Sequence, residues 1–263
     1  MHPTQHSHFH NLNQETSNHL SMATTTTTFV SCVIVAAFLP VLLYLYHEYL
    51  AFKDLGRGGT PQTLTGFLKV FLLSFVTLSN PYELPPPRQP TDQEAGFLRD
   101  LPRRRDPRPQ TRGIAPHRQT TQQGNSQTYT LLTSSLANLA HTHPTLLRTG
   151  TSCFEHHSTG LFARQPVRAT CAGEIVHTHP SDGGSMHLTL CEADVRVVLE
   201  RGWGERHPLA RGGWFERFVP EGFVMVYAPR DEGGVEVALQ VVRAAAGWVC
   251  GVELGEVEDG STT

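Results

Sequence analysis

The chain has 263 residues, and its 21 basic and 24 acidic side chains give a formal charge of −3. That balance exerts no overall pull on phosphate, so no nucleic-acid partner is expected. Charged residues make up 17% and apolar residues 39%, the latter massed in one block near the N-terminus, which a uniform soluble globule would not show. Five scattered cysteines without a CxxC pair read as reduced thiols filling a core.

Residues 1–28 are rich in His, Thr, Asn, Gln and Ser, hold no Lys or Arg, and read as an unstructured polar tail. Residues 29–52 follow as a membrane-spanning helix, because FVSCVIVAAFLPVLLYLY carries no charge and about 20 such residues cross a bilayer. Pro40 is tolerated in lipid, and Tyr44, Tyr46 and Tyr49 resemble an interfacial belt. A signal peptide would begin with basic residues, and a buried soluble helix would show a polar stripe; neither is present. Lys53, Arg57, Arg88, Arg99 and Arg103 to Arg105 all follow the span, so the positive-inside rule predicts a single-pass protein with a cytosolic C-terminal domain and membrane lipid as partner.

Residues 53–111 combine a short apolar segment, Leu64 to Leu78, with a Pro- and Arg-rich linker. The segment is short for a crossing and carries Lys69, so it is expected on the membrane surface or against the first helix, the alternative being a second crossing that would put the folded domain on the other side. Residues 112–254 then alternate. Helices are predicted at Ser126 to His141, from Cys191 or Glu192 to Gly202, and after Asp231; strands at Ser152 to Ala163, Ala172 to His179, Ser185 to Leu190 and Phe223 to Ala228. The fold class is α+β, a small and mostly antiparallel sheet covered by helices, and residues 255–263 form a second unstructured tail.

The chemistry concentrates in EIVHTHPSDGGSMHLTL. Alternation puts His177 and His179 on one strand face, and a hairpin through PSDGG brings His187 opposite them. Glu155 and His157 would share another strand face, and the loop GWGERHPLA offers Trp203, Arg206 and His207. Converging imidazoles suit a general base for an acidic enol or phenol. They also suit zinc or non-haem iron on His177, His179 and His187, or plain hydrogen bonding within the sheet.

EIVHTHPSDGGSMHLTL, ERGWGERHPLA and FVMVYAPRDEGG, in that order, resemble the fungal luciferase-like family, as do the upstream FLRDLPRRRDPRP, GIAPHRQTTQ and TSCFEHH. The resemblance implies a membrane-anchored oxygenase that adds O2 to a hydroxylated styryl-pyrone such as 3-hydroxyhispidin, with no flavin, haem or ATP. His177 and His179 would then be bases, His187, Glu155 and His157 would orient them, and Arg206, His207 and Trp203 would hold the substrate. The PSDGG turn and RGGWFERFVPEG depart from the luminous members, so light emission is left open. A metal-dependent enzyme on the same histidines and a non-enzymatic, membrane-tethered binding module are the alternatives.

Overall fold

The computed structural model of the chain describes residues 5–85 and 96–254. The expected C-terminal tail and part of the linker lie outside the described residues. Residues up to Ala51 form one unit and those from Phe52 onward another.

The first unit is the body of one long helix, α1 (Gln5–Asp54). Its stretch Thr26–Asp54 has 29 residues and a mean hydropathy of 2.4, with its apolar window unburied, so it is a candidate span by length and composition. The tail expected to be unstructured is instead helical from Gln5, in a stretch without Gly or Pro to stop it.

In the second unit, α2 (Leu64–Ser74) is capped by the Thr63 hydroxyl, which accepts from the Gly66 N–H at 3.1 Å. The linker forms no helix or strand around Leu101, yet it is not a free connector. Leu101 is fully buried, and the Phe97 and Leu98 N–H groups donate to Asp194 at 3.1 and 2.9 Å. A small hairpin follows, β1 (Thr111–Gly113) against β2 (His117–Gln119).

Helix α3 (Ser126–Thr142) starts at a reciprocal cap between Asn125 and Thr128. It leads into β3 (Leu147–Thr151), β4 (Thr159–Ala163), β5 (Glu174–Thr178) and β6 (Met186–Thr189). Helix α4 (Glu192–Glu200), β7 (Gly204–Arg206), β8 (Phe223–Val226) and α5 (Glu232–Cys250) complete the elements of the described residues. The six strands order as β3-β4-β5-β6-β8-β7, each neighbour antiparallel, which is the α+β arrangement the pattern predicts. The single strand expected over Ser152 to Ala163 is broken: residues 152–158 are a loop, with His156 in the left-handed region at φ 61°.

Partners across a ladder share a face. Val176, Leu188 and Val224 line up on one face, buried with Leu132 and Leu136 of α3 and Val242 and Val249 of α5. His177, His187, Met225 and Glu205 line up on the other. Because both faces are covered, β5, β6 and β8 are buried throughout, and the second face carries a buried polar layer. The cysteines are not all reduced: Cys153 and Cys171 are bridged across 18 residues, tying the 152–158 loop to the approach of β5. Cys191 and Cys250 are the buried thiols expected.

Candidate functional site

Five histidines meet on the polar face. His177 and His179 come from β5 and the residue after it, His187 from β6, His207 from the end of β7, and His117 from β2, laid across the sheet. All are at most 5% exposed. Phe223 of β8 stacks on His187 at 5.1 Å between centroids, and the half-buried Phe154 ring lies 5.9 Å from His177. The turn that brings His187 back needs Gly183, whose φ of 75° and close approach to the Gly124 backbone leave no room for a side chain.

Each imidazole is held differently. His177 Nδ1 donates to Glu174 Oε1 at 2.5 Å, while its buried Nε2 has no protein partner. Glu174 in turn accepts from the Ser152 hydroxyl at 3.1 Å and from the Cys153 N–H. A carboxylate that takes the Nδ1 proton fixes the tautomer and leaves Nε2 with a free lone pair, the arrangement of a general base.

The other four are saturated. Asp182 accepts from the Ser185 hydroxyl at 2.6 Å, and Ser185 faces His179 Nδ1 at 2.8 Å. His179 Nε2 meets His187 Nδ1 at 3.1 Å, and His187 Nε2 meets His117 Nδ1 at 3.2 Å. His117 Nε2 reaches Glu205 at 3.1 Å, and that carboxylate also accepts from Thr111, Tyr82 and Tyr227. His207 donates from Nε2 to the Ile114 carbonyl at 3.0 Å and accepts the Leu209 N–H at Nδ1.

Burial sets the protonation. Desolvation pushes His179 down to about 4 and holds His187 and His207 well below the usual imidazole range, helped by the neighbouring imidazoles. Burial would raise Glu205, but hydrogen bonds and attraction from His117 outweigh it and lower the carboxyl. Asp182 is lowered in the same way, through His179 and Ser185.

Among the described residues, two imidazole trios have ligand nitrogens within 4.8 Å of one another. In His117, His187 and His207 the third ring spends both nitrogens on backbone. In His177, His179 and His187 the distal nitrogens rest on Glu174, on Ser185 with Asp182, and on His117 with Glu205. Outer partners of that kind accompany metal-binding histidines, so this trio fits a first-row divalent ion.

The luciferase domain family matches residues 172–245, a span that contains Glu174, His177, His179, His187, Glu205 and His207. The luciferase of Neonothopanus nambi is 28% identical over 244 residues, covering 87% of this chain and 90% of the relative. That of Armillaria ostoyae is 28% identical over 242 residues, 86% and 89%, and that of Armillaria mellea 27% over 234, 83% and 86%. The chain is similar to fungal luciferases over most of its length. No solved structure matches it.

In this luciferase-like chain the sheet brings His177, His179, His187 and His207 together. Glu155 and His157 sit on the loop rather than a strand. Glu155 takes both Arg118 guanidinium nitrogens, at 3.2 and 2.5 Å, and His157 Nδ1 donates to the Glu155 carbonyl at 2.6 Å. Burial would raise Glu155, yet His179 and Arg118 hold it below the ordinary carboxylate range.

Two expected substrate-binding residues are placed elsewhere. Trp203 donates to the Pro102 carbonyl at 2.6 Å and packs against the helix-side core. Arg206 clamps the Glu83 and Ala210 carbonyls, its side chain on the face of Val224 rather than of the histidines. Sequence reasoning missed Glu174, Asp182, Ser185, Glu205, His117 and Arg118. Glu174 was visible three residues before His177; the hairpin residues carried no local signal.

Proposed function

We propose that the protein is a membrane-anchored oxygenase that adds O2 to a small hydroxylated pyrone or phenol, using no organic cofactor. The observation that carries this reading is the Glu174–His177 pair with an open, buried Nε2. That nitrogen takes the proton of an acidic enol or phenol, and the Glu174 carboxylate on the opposite nitrogen orients the ring and stabilises the imidazolium that forms. The resulting enolate carbon forms a C–O bond to O2; the enolate is oxidised, O2 is reduced to the peroxide level, and the imidazolium returns its proton to the peroxide. Phe154 and His157, both half-buried, mark the side from which substrate enters. Anchoring rests on the apolar stretch Thr26–Asp54.

The test is oxygen uptake and photon emission by membranes bearing the full chain, given a hydroxylated styryl-pyrone, against His177→Ala and His179→Ala. Uptake lost in the His177 variant supports the reading, with light deciding only whether the product is excited; unchanged uptake in both variants overturns it.

A second reading is favoured by the outer partners of His177, His179 and His187: the same trio would hold a divalent metal, which would supply Lewis-acid chemistry there. A stoichiometric first-row metal in the purified chain, lost together with activity on chelation, selects this reading over the base mechanism.

A further inference from the structure

Helix α2 buries Gly66, Phe67 and Val70 against the domain and turns the opposite side outward. That outer side is apolar. Leu64, Leu68, Leu72 and Phe75 recur at helical spacing and are 59, 44, 66 and 73% exposed, with the exposed Lys69 beside them. An amphipathic helix of a soluble domain presents the reverse pattern.

A second exposed apolar group adjoins it. The turn 213–217 and Phe218 gather Trp214, 59% exposed, with Phe215 and Phe218 at centroid distances of 5.3 and 5.4 Å. Arg217 lies over the Trp214 ring at 3.8 Å, and Arg211 over Phe215 at 5.0 Å. Arg211 also donates to the Val76 carbonyl at 2.9 Å, and the Leu78 N–H to the Pro208 carbonyl at 2.8 Å, which fixes the turn beside the end of α2.

We propose that the outer face of α2 and the Trp214 turn together seat the domain on a phospholipid bilayer surface. Exposed leucines and a phenylalanine supply the apolar insertion, a tryptophan takes the interfacial level, and Lys69, Arg211 and Arg217 meet anionic headgroups. Helix α2 follows α1 in the chain after the short link Leu55 to Thr63. In that respect the proposal rests on the anchoring reading above. It adds that the domain lies on the membrane through a face of its own, where an apolar aromatic substrate would be concentrated.

The full chain, reconstituted in phosphatidylcholine–phosphatidylserine vesicles whose lipids carry bromine high on the acyl chain, tests it. Trp214 is one of three tryptophans, so about a third of the emission should be quenched. Trp214→Phe should abolish that component, and Leu68→Asp with Leu72→Asp should reduce it without releasing the chain on carbonate washing. A carbonate-resistant chain whose emission is unquenched, or quenching that survives Trp214→Phe, overturns the proposal. A chain released by carbonate with Trp214 still quenched overturns the anchoring reading and supports this one.

Discussion

Glu174→Gln changes one atom and discriminates a tautomer-setting carboxylate from a mere core acid. In the native site one oxygen of Glu174 faces His177 Nδ1–H and the other faces the Cys153 N–H, with the Ser152 hydroxyl between them. Glutamine keeps one oxygen only. Turning its amide NH2 toward Cys153 sets two donors against each other in a buried place, at a cost of about 1–3 kcal/mol. The amide therefore turns toward His177, whose Nδ1 must then accept and whose Nε2 must carry the proton. At about 1.4 kcal/mol per decade, the open lone pair at Nε2 becomes roughly 5- to 150-fold rarer, and oxygen uptake should fall by that factor. The side chain keeps its shape, so the cost is the loss of charge-assisted bonding, about 1–2 kcal/mol, or a Tm lower by about 2–8 °C. Nitrogen-15 NMR of the imidazoles reads the tautomer directly, alongside oxygen uptake. A His177 that keeps its proton on Nδ1 in the variant, with turnover unchanged, refutes the reasoning.

Acid should weaken the fold before the carboxylates titrate. Folded His179 titrates at about 4 against 6.5 when unfolded, and His187 and His207 shift the same way, so below pH 6.5 the unfolded chain takes up protons that the native state refuses. Stability is then intact above pH 6.5 and falls toward pH 4, by up to about 1.4 kcal/mol per pH unit per histidine; urea midpoints that stay flat from pH 7.5 to 5 refute this. Arg118→Leu strands the buried Glu155 carboxylate and should cost about 3–5 kcal/mol, much of it recovered by adding Glu155→Leu, as denaturant titration of single and double variants will show. Leu132→Ala, in the fully buried α3 core on the far face of the sheet, should cost about 2–5 kcal/mol while leaving oxygen uptake per folded molecule unchanged.

The helices and the central hairpin were legible because their signals are local. Asn125 and Asp231 cap α3 and α5, and PSDGG turns β5 back into β6, so the pairing of His177 with His187 followed from alternation. The site's second half was not legible. His117 and Arg118 reach His187 and Glu155 across 70 and 37 residues, and only the hairpin's docking on the sheet brings them there. Residues 152–158 carry a strand-like composition, but the Ser152 hydroxyl accepting the Phe154 and Glu155 N–H groups curls them into a loop. Trp203 and Arg206 looked like ligand-binding residues in a Gly-flanked loop, yet the backbone carbonyls of Pro102, Glu83 and Ala210 took their donors. The reading of every cysteine as reduced failed because the proximity of Cys153 to Cys171 arises only when the loop folds against β5.

Asp182, Ser185, His179, His187, His117 and Glu205 stand in one file of five hydrogen bonds. The hydroxyl and each imidazole use one side toward each neighbour, so the tautomer of one ring dictates that of the next. The layer beside His177 is thus a single interlocked file with a carboxylate at either end, in which no ring can turn over without its neighbours.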